Sequence, residues 1–171
     1  MNTDIFLDDF ERTDHSDALH AIVGRALIIA TRFDASCKAA ALHHELRNGV
    51  LNLRSEQDRS DLLNGVAQKY RSLKSSITAL KLPKEVSVLL HDANDARNTV
   101  AHDLAKGMVG CLDIKVNEAS FIREVSELMF DLAYGDVVIS HTICALNGDP
   151  SPVDELASSY VDRVIRWVVE K

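Results

Sequence analysis

Apolar residues recur every three or four positions over most of the chain, and that spacing predicts helices. Leu19, Ile22, Val23, Ala26, Leu27, Ala30, Phe33, Cys37 and Ala41 share one face of a first helix from about Asp14 to Leu46, with Gly49 as its stop. Such a helix extends roughly 45–50 Å. In the polar link that follows, Ser55 and Asp58 have the spacing of an N-cap pair. Leu62, Leu63, Val66, Tyr70, Leu73, Ile77 and Leu80 predict a second helix over about 56–80. Pro83 suits the first turn of a third, which runs to about Lys106. From Gly107 to Val116 the periodicity fails, as in a loop with one short extended piece. Asn117 caps a fourth helix, about 118–146, with Phe121, Val125, Leu128, Met129, Leu132 and Val137 on its apolar stripe. Gly148, Pro150 and Pro152 make a turn, and Ser151 with Pro152 reads as the N-cap and first position of a last helix over about 152–170. That helix is expected to bury Leu156, Tyr160, Val164 and Trp167 or Val168.

The expected fold class is therefore all-α: an antiparallel bundle of about five helices with a long first helix. At 171 residues and 46% hydrophobic, the chain reads as one domain, 1–171, with an acidic lead-in over 1–13 and a loop over 107–117. Three cysteines, Cys37, Cys111 and Cys144, with no CxxC pair suit a reducing compartment. The start lacks the basic residues and apolar run of a signal peptide, and the longest apolar stretch, Ala26 to Ala30, falls far short of a membrane span, so a cytoplasmic location is expected. His43 and His44 are adjacent and point apart on a helix, which makes them a poor metal pair, and no metal or cofactor is expected.

The chemistry concentrates on the third predicted helix. On a wheel of about 100° per residue, Leu89, Ala93, Ala96, Val100 and Leu104 form its buried face. His91, Asp95, Asn98 and His102 lie opposite, and Arg97 and Asn94 stand between. Arginine grips phosphate oxygens in bidentate fashion without losing its charge. Imidazole, with an ordinary pKa near 6.5, gives or takes a proton at neutral pH. Asparagine orients either group. Given 11 Arg, 7 His and 8 Asn, chance places His five residues after an Arg-Asn pair roughly 0.02 times in such a chain.

Arg97-Asn98-Thr99-Val100-Ala101-His102 resembles the RNxxAH form of the R-x4-6-H signature of HEPN domains, which are small α-helical bundles. The motif likeness covers about 20 residues, and the helix order agrees with it over most of the chain. The resemblance implies a metal-independent endoribonuclease, serving as a toxin of a toxin–antitoxin module or in phage defence. It implies a homodimer whose two motifs share a cleft. Arg97 would then hold the scissile phosphate, His102 would transfer the proton and Asn98 would position one of them. Some toxins of the family carry a Tyr two residues after the His, which a partner enzyme modifies. Leu104 stands there, which speaks against that control and leaves a different antitoxin, or none. The family also includes catalytically silent members that bind a nucleotide or a protein partner.

Other residues admit two readings. His91 and Asp95, one turn apart, are either an ordinary surface pair worth about 0.2–0.5 kcal/mol or a support for His102. Asp34, near the middle of the first helix, is either solvated there or reaches the third helix. The net charge of −7 argues against a surface that coats nucleic acid. It is unevenly spread: residues 47–84 hold 8 basic against 3 acidic residues, and the rest is correspondingly acidic. The basic segment is either a solvated face or a path for RNA or an acidic partner.

Overall fold

A computed structural model describes residues 13–49, 55–69, 72–105 and 116–170. Six helices lie among them: α1 (Asp14–Gly49), α2 (Glu56–Lys69), α3 (Leu73–Ala79), α4 (Lys84–His102), α5 (Glu118–Asn147) and α6 (Asp154–Val169). No strand occurs among the described residues. The predicted extended piece from Cys111 lies outside them except for its last residue, Val116, which is irregular, and the acidic lead-in before Thr13 also lies outside them.

Local chemistry sets most of the ends. Thr13 and Ser16 exchange backbone-to-hydroxyl hydrogen bonds of 2.9 and 3.1 Å at the start of α1. Asp14 and Asp17 in its first turn and Arg47 in its last complement the helix dipole. Ser55 and Asp58 cap α2 reciprocally, at 3.0 and 3.1 Å. Asn117 accepts a bond from the Ser120 amide at 3.0 Å to begin α5, and Gly148, in the left-handed region at φ 76°, ends it.

The periodicity misjudged three elements. The single helix predicted over 56–80 is two, because the Ser72 hydroxyl accepts from the Ser75 amide and starts α3 afresh. α4 stops at His102 instead of near Lys106: the amides of Asp103 and Leu104 both donate to the Thr99 carbonyl and close the helix. α6 begins at Asp154 without a side-chain cap, so Ser151 and Pro152 precede it.

The direction of the helices follows from contacts along their length. α1 and α5 run parallel: His15 meets Glu118 near their starts, Arg32 meets Asp136 midway, and Arg47 donates to the Leu146 carbonyl near their ends. α4 runs against α5, since Leu82 and Pro83 before its start share a groove with Ala145 and Leu146. α6 runs against α1, with Arg25 Nε donating to the Val168 carbonyl at 2.9 Å and Tyr160 beside Arg32. The bundle is thus antiparallel only in part. By way of α2, α3 and α4 the chain returns to the starting end of α1 before α5 begins.

One apolar core joins α1, α3, α4, α5 and α6, with Phe33, Ile22, Ile77, Leu90, Met129 and Leu132 fully buried. Some predicted core residues face out, Leu27 on α1 and Leu156 on α6, and of the alternatives Trp167 and Val168 it is Val168 that is buried while Trp167 faces out. Each lies at the margin of its stripe, so a small rotation of the helix exposes it. Gly135 lets α4 and α1 pack close against α5. A Cβ there would stand 2.5 Å from Ala93 Cβ and 2.9 Å from Phe33 Cε2. Among the described residues α5 alone has the length and mean hydropathy, 1.2, of a helix able to cross a bilayer. Here it lies against α1, α4 and α6.

Candidate active site

α4 packs against α1, α3 and α5 together, so its buried stripe is wider than a single facing helix requires. Leu90, Ala93, Asn94, Ala96 and Val100 are buried, with Leu104 just beyond the helix. Leu89 is only half-buried. The stripe is turned toward Arg97, which therefore sits within it and not at its border.

That rotation determines what Arg97 touches. Its side chain is 26% exposed, and its guanidinium donates to Asp34 Oδ2 on α1 at 3.2 Å and to Asn98 Oδ1 at 3.3 Å. Lys38, one turn after Asp34, donates to the same oxygen at 3.0 Å. Asp34 is thus the acid that crosses from the first helix to the motif. Its other oxygen, Oδ1, is buried with no hydrogen-bond partner among the described residues. Two cations converge on one carboxylate, which leaves the cluster one positive charge in excess. A guanidinium has five N–H donors, and these two contacts leave others for an oxyanion.

His102 is the last residue of α4 and is exposed. It stands about 7.5 Å farther along the axis than Arg97 and about 140° around it. Asn98 lies between them on the wheel, and the Arg97–Asn98 bond draws the guanidinium toward the histidine side. The three motif residues thus form a row from the buried stripe to the open end of the helix.

The other predicted positions stand apart from that row. Asn94 is buried, and its amide is taken by Asp95 Oδ1 at 3.1 Å, so it packs between α4 and its neighbours. Asp95 is exposed, and its carbonyl accepts the Thr99 hydroxyl. No ion pair joins it to His91 among the described residues. His91, half-buried, lies about 16 Å along the axis from His102. Among the described residues no three His, Cys, Asp or Glu side chains converge to hold a metal ion. Burial, together with Asp136 and Asp34 nearby, pushes the Cys37 thiol well above its ordinary range, so it stays an inert core group.

A second polar cluster went unread in the sequence. Asp136 on α5 accepts at Oδ2 from Arg32 of α1, through Nε at 3.2 Å and through Nη2, and from the Tyr160 hydroxyl of α6 at 2.8 Å. The Arg32 guanidinium lies 5.4 Å from the centre of the Tyr160 ring. Burial pushes the Asp136 carboxyl up to about 6, against the opposing pull of Arg32. The one available signal was an aspartate set between Leu132 and Ile139 in an apolar run, since an acid is rarely buried unless paired. No family model, no curated protein and no solved structure matches this chain.

Proposed function

We propose that this protein is a metal-independent endoribonuclease of the HEPN type. The observation that carries the reading is the row Arg97, Asn98 and His102, with Arg97 held in place by Asp34. In this reading Arg97 grips the scissile phosphate and neutralises the charge that gathers on its free oxygens. His102 accepts the proton of the ribose 2′-hydroxyl as its oxygen attacks phosphorus, or donates one to the 5′-oxygen as its bond to phosphorus breaks. The products are a 2′,3′-cyclic phosphate and a 5′-hydroxyl, and no step calls for a metal or cofactor. The working form is a homodimer in which two such rows border one cleft. A cytoplasmic toxin or phage-defence role, restrained by an antitoxin protein, fits such an activity.

The test is RNA cleavage in EDTA. The wild-type protein is expected to cut RNA, and His102→Ala to lower the rate about 10²–10⁴-fold with the helical circular dichroism unchanged. EDTA-resistant cleavage that survives both His102→Ala and Arg97→Ala overturns the assignment. The Asp34–Arg97 pair also favours a second reading, because an arginine that shares a carboxylate has less of its charge to offer a phosphate. On that reading the protein is catalytically silent and holds a nucleotide or protein partner, and wild-type protein leaves RNA intact.

A further inference from the structure

A cavity of about 360 Å³ opens between α1, α5 and α6, away from the motif helix. Its polar lining includes Arg32 and Ser36 from α1, Asp136 and His141 from α5, and Tyr160 and Arg163 from α6. Val137, Pro152, Leu156 and Ala157 supply an apolar wall. The volume lies within the range of small-molecule sites, and a few converging polar groups over an apolar wall is how such sites are built.

The charges in it are unequal. Arg32 is spoken for by Asp136, which grips it through Nε and Nη2 while the Tyr160 ring lies beneath it. That arrangement immobilises the guanidinium beforehand and leaves Nη1 uncommitted, so a ligand need not order it. Arg163 has no carboxylate partner among the described residues, although it lines the same cavity. The Ser36 hydroxyl and the His141 imidazole likewise have no hydrogen-bond partner among them. With Asp136 ionised, two guanidinium groups against one carboxylate leave an excess positive charge beside unused donors. A solvated face would scatter such groups, whereas here they line one concavity.

We propose that this cavity binds a small organic anion, with a carboxylate or phosphate head between Arg163 and Arg32 and a ring-sized apolar body against Val137, Pro152 and Leu156. The two head groups share the oxyanion chemistry that a guanidinium recognises. The site is independent of the RNA-cleavage reading, and His102→Ala should leave it intact.

Calorimetric titration with phenyl phosphate and with benzoate tests it. The wild-type protein is expected to bind one or both at one site per chain, and the tighter of the two identifies the head group. Inorganic phosphate, which lacks the ring, is expected to bind more weakly. Arg163→Gln, at an exposed position, should weaken binding about tenfold or more through the loss of a charge-assisted bond. Ala157→Leu should block it by filling the cavity without a change of charge. Absence of heat with both ring-bearing probes overturns the proposal. So does binding that Arg163→Gln and Ala157→Leu leave unchanged, or inorganic phosphate binding as tightly as phenyl phosphate.

Discussion

Arg97 and His102 stand five residues apart in one motif, yet the fold treats them differently. Arg97 is three-quarters buried and tied to Asp34, whereas His102 is exposed at the helix end. Arg97→Ala should therefore cost about 1–3 kcal/mol of stability as well as activity, because it strips a donor from a mostly buried carboxylate. His102→Ala should stay within about 0.5 kcal/mol. Urea unfolding of the two variants checks the contrast, and equal losses would contradict the burial difference. The motif was legible because its spacing is local. Its partner was legible only as one of two readings of Asp34, since that residue lies 63 positions away and only packing brings it to Arg97. Asp136 makes a second residue-scale prediction. Its carboxyl rises from 3.8 to about 6 on folding, so the folded state keeps a proton that the unfolded chain has released. That contribution to stability is present below about pH 4 and is lost as pH rises to about 6, on the order of 3 kcal/mol in all. Asp136→Asn should remove this decline while Tyr160 keeps an acceptor. Parallel urea midpoints for wild type and variant across that interval would disprove it.

Among the elements, the long helices follow directly from apolar periodicity and their caps; α1 and α5 lie close to where that pattern puts them, and α4 begins where expected but stops a turn early. Which residues in a stripe are most deeply buried depends on how many neighbours a helix has, as the shift from Leu89 to Leu90 on α4 shows. Two of the helical glycines, Gly24 and Gly135, look alike in sequence but face opposite surroundings. Gly135→Ala would drive a methyl into Ala93 and Phe33, both fully buried, and should cost about 1–3 kcal/mol. Gly24 has nothing within 4 Å of an added Cβ, so Gly24→Ala should gain up to about 1 kcal/mol from helix propensity. Thermal melting of both variants tests the pair, and shifts of the same sign would contradict the helix approach at Gly135.

For the whole molecule, the exposed apolar residues bear on the proposed dimer. Val88 on α4 and Phe130 and Tyr134 on α5 are 47%, 52% and 42% exposed, and the last two stack with ring centres 6.1 Å apart. They lie on the motif helix and the helix packed most closely against it. A second such group, Leu27, Ile28 and Trp167, sits on α1 and α6. If the motifs share a cleft, Phe130→Glu should turn a dimer into a monomer in sedimentation and suppress cleavage, while Trp167→Glu should do neither. Dissociation by Trp167→Glu alone would move the interface to the other face. The basic segment is partly consumed within the fold: Lys69 pairs with Glu45 at 2.9 Å, and Arg47 caps the Leu146 carbonyl.

The amino-acid pattern alone determines an all-helical chain, the approximate span of its long helices, and the Arg97-Asn98-His102 motif on one of them. These depend on neighbours within a turn or two, which periodicity and capping report faithfully. Tertiary structure alone decided that α1 and α5 run parallel, that Asp34 rather than His91 or Asp95 meets the motif, and that Arg32, Asp136 and Tyr160 gather beside a cavity. Each of these joins residues far apart in the chain, 104 positions for Arg32 and Asp136. Local spacing carries no record of such pairs, because they exist only once apolar burial has brought the helices together.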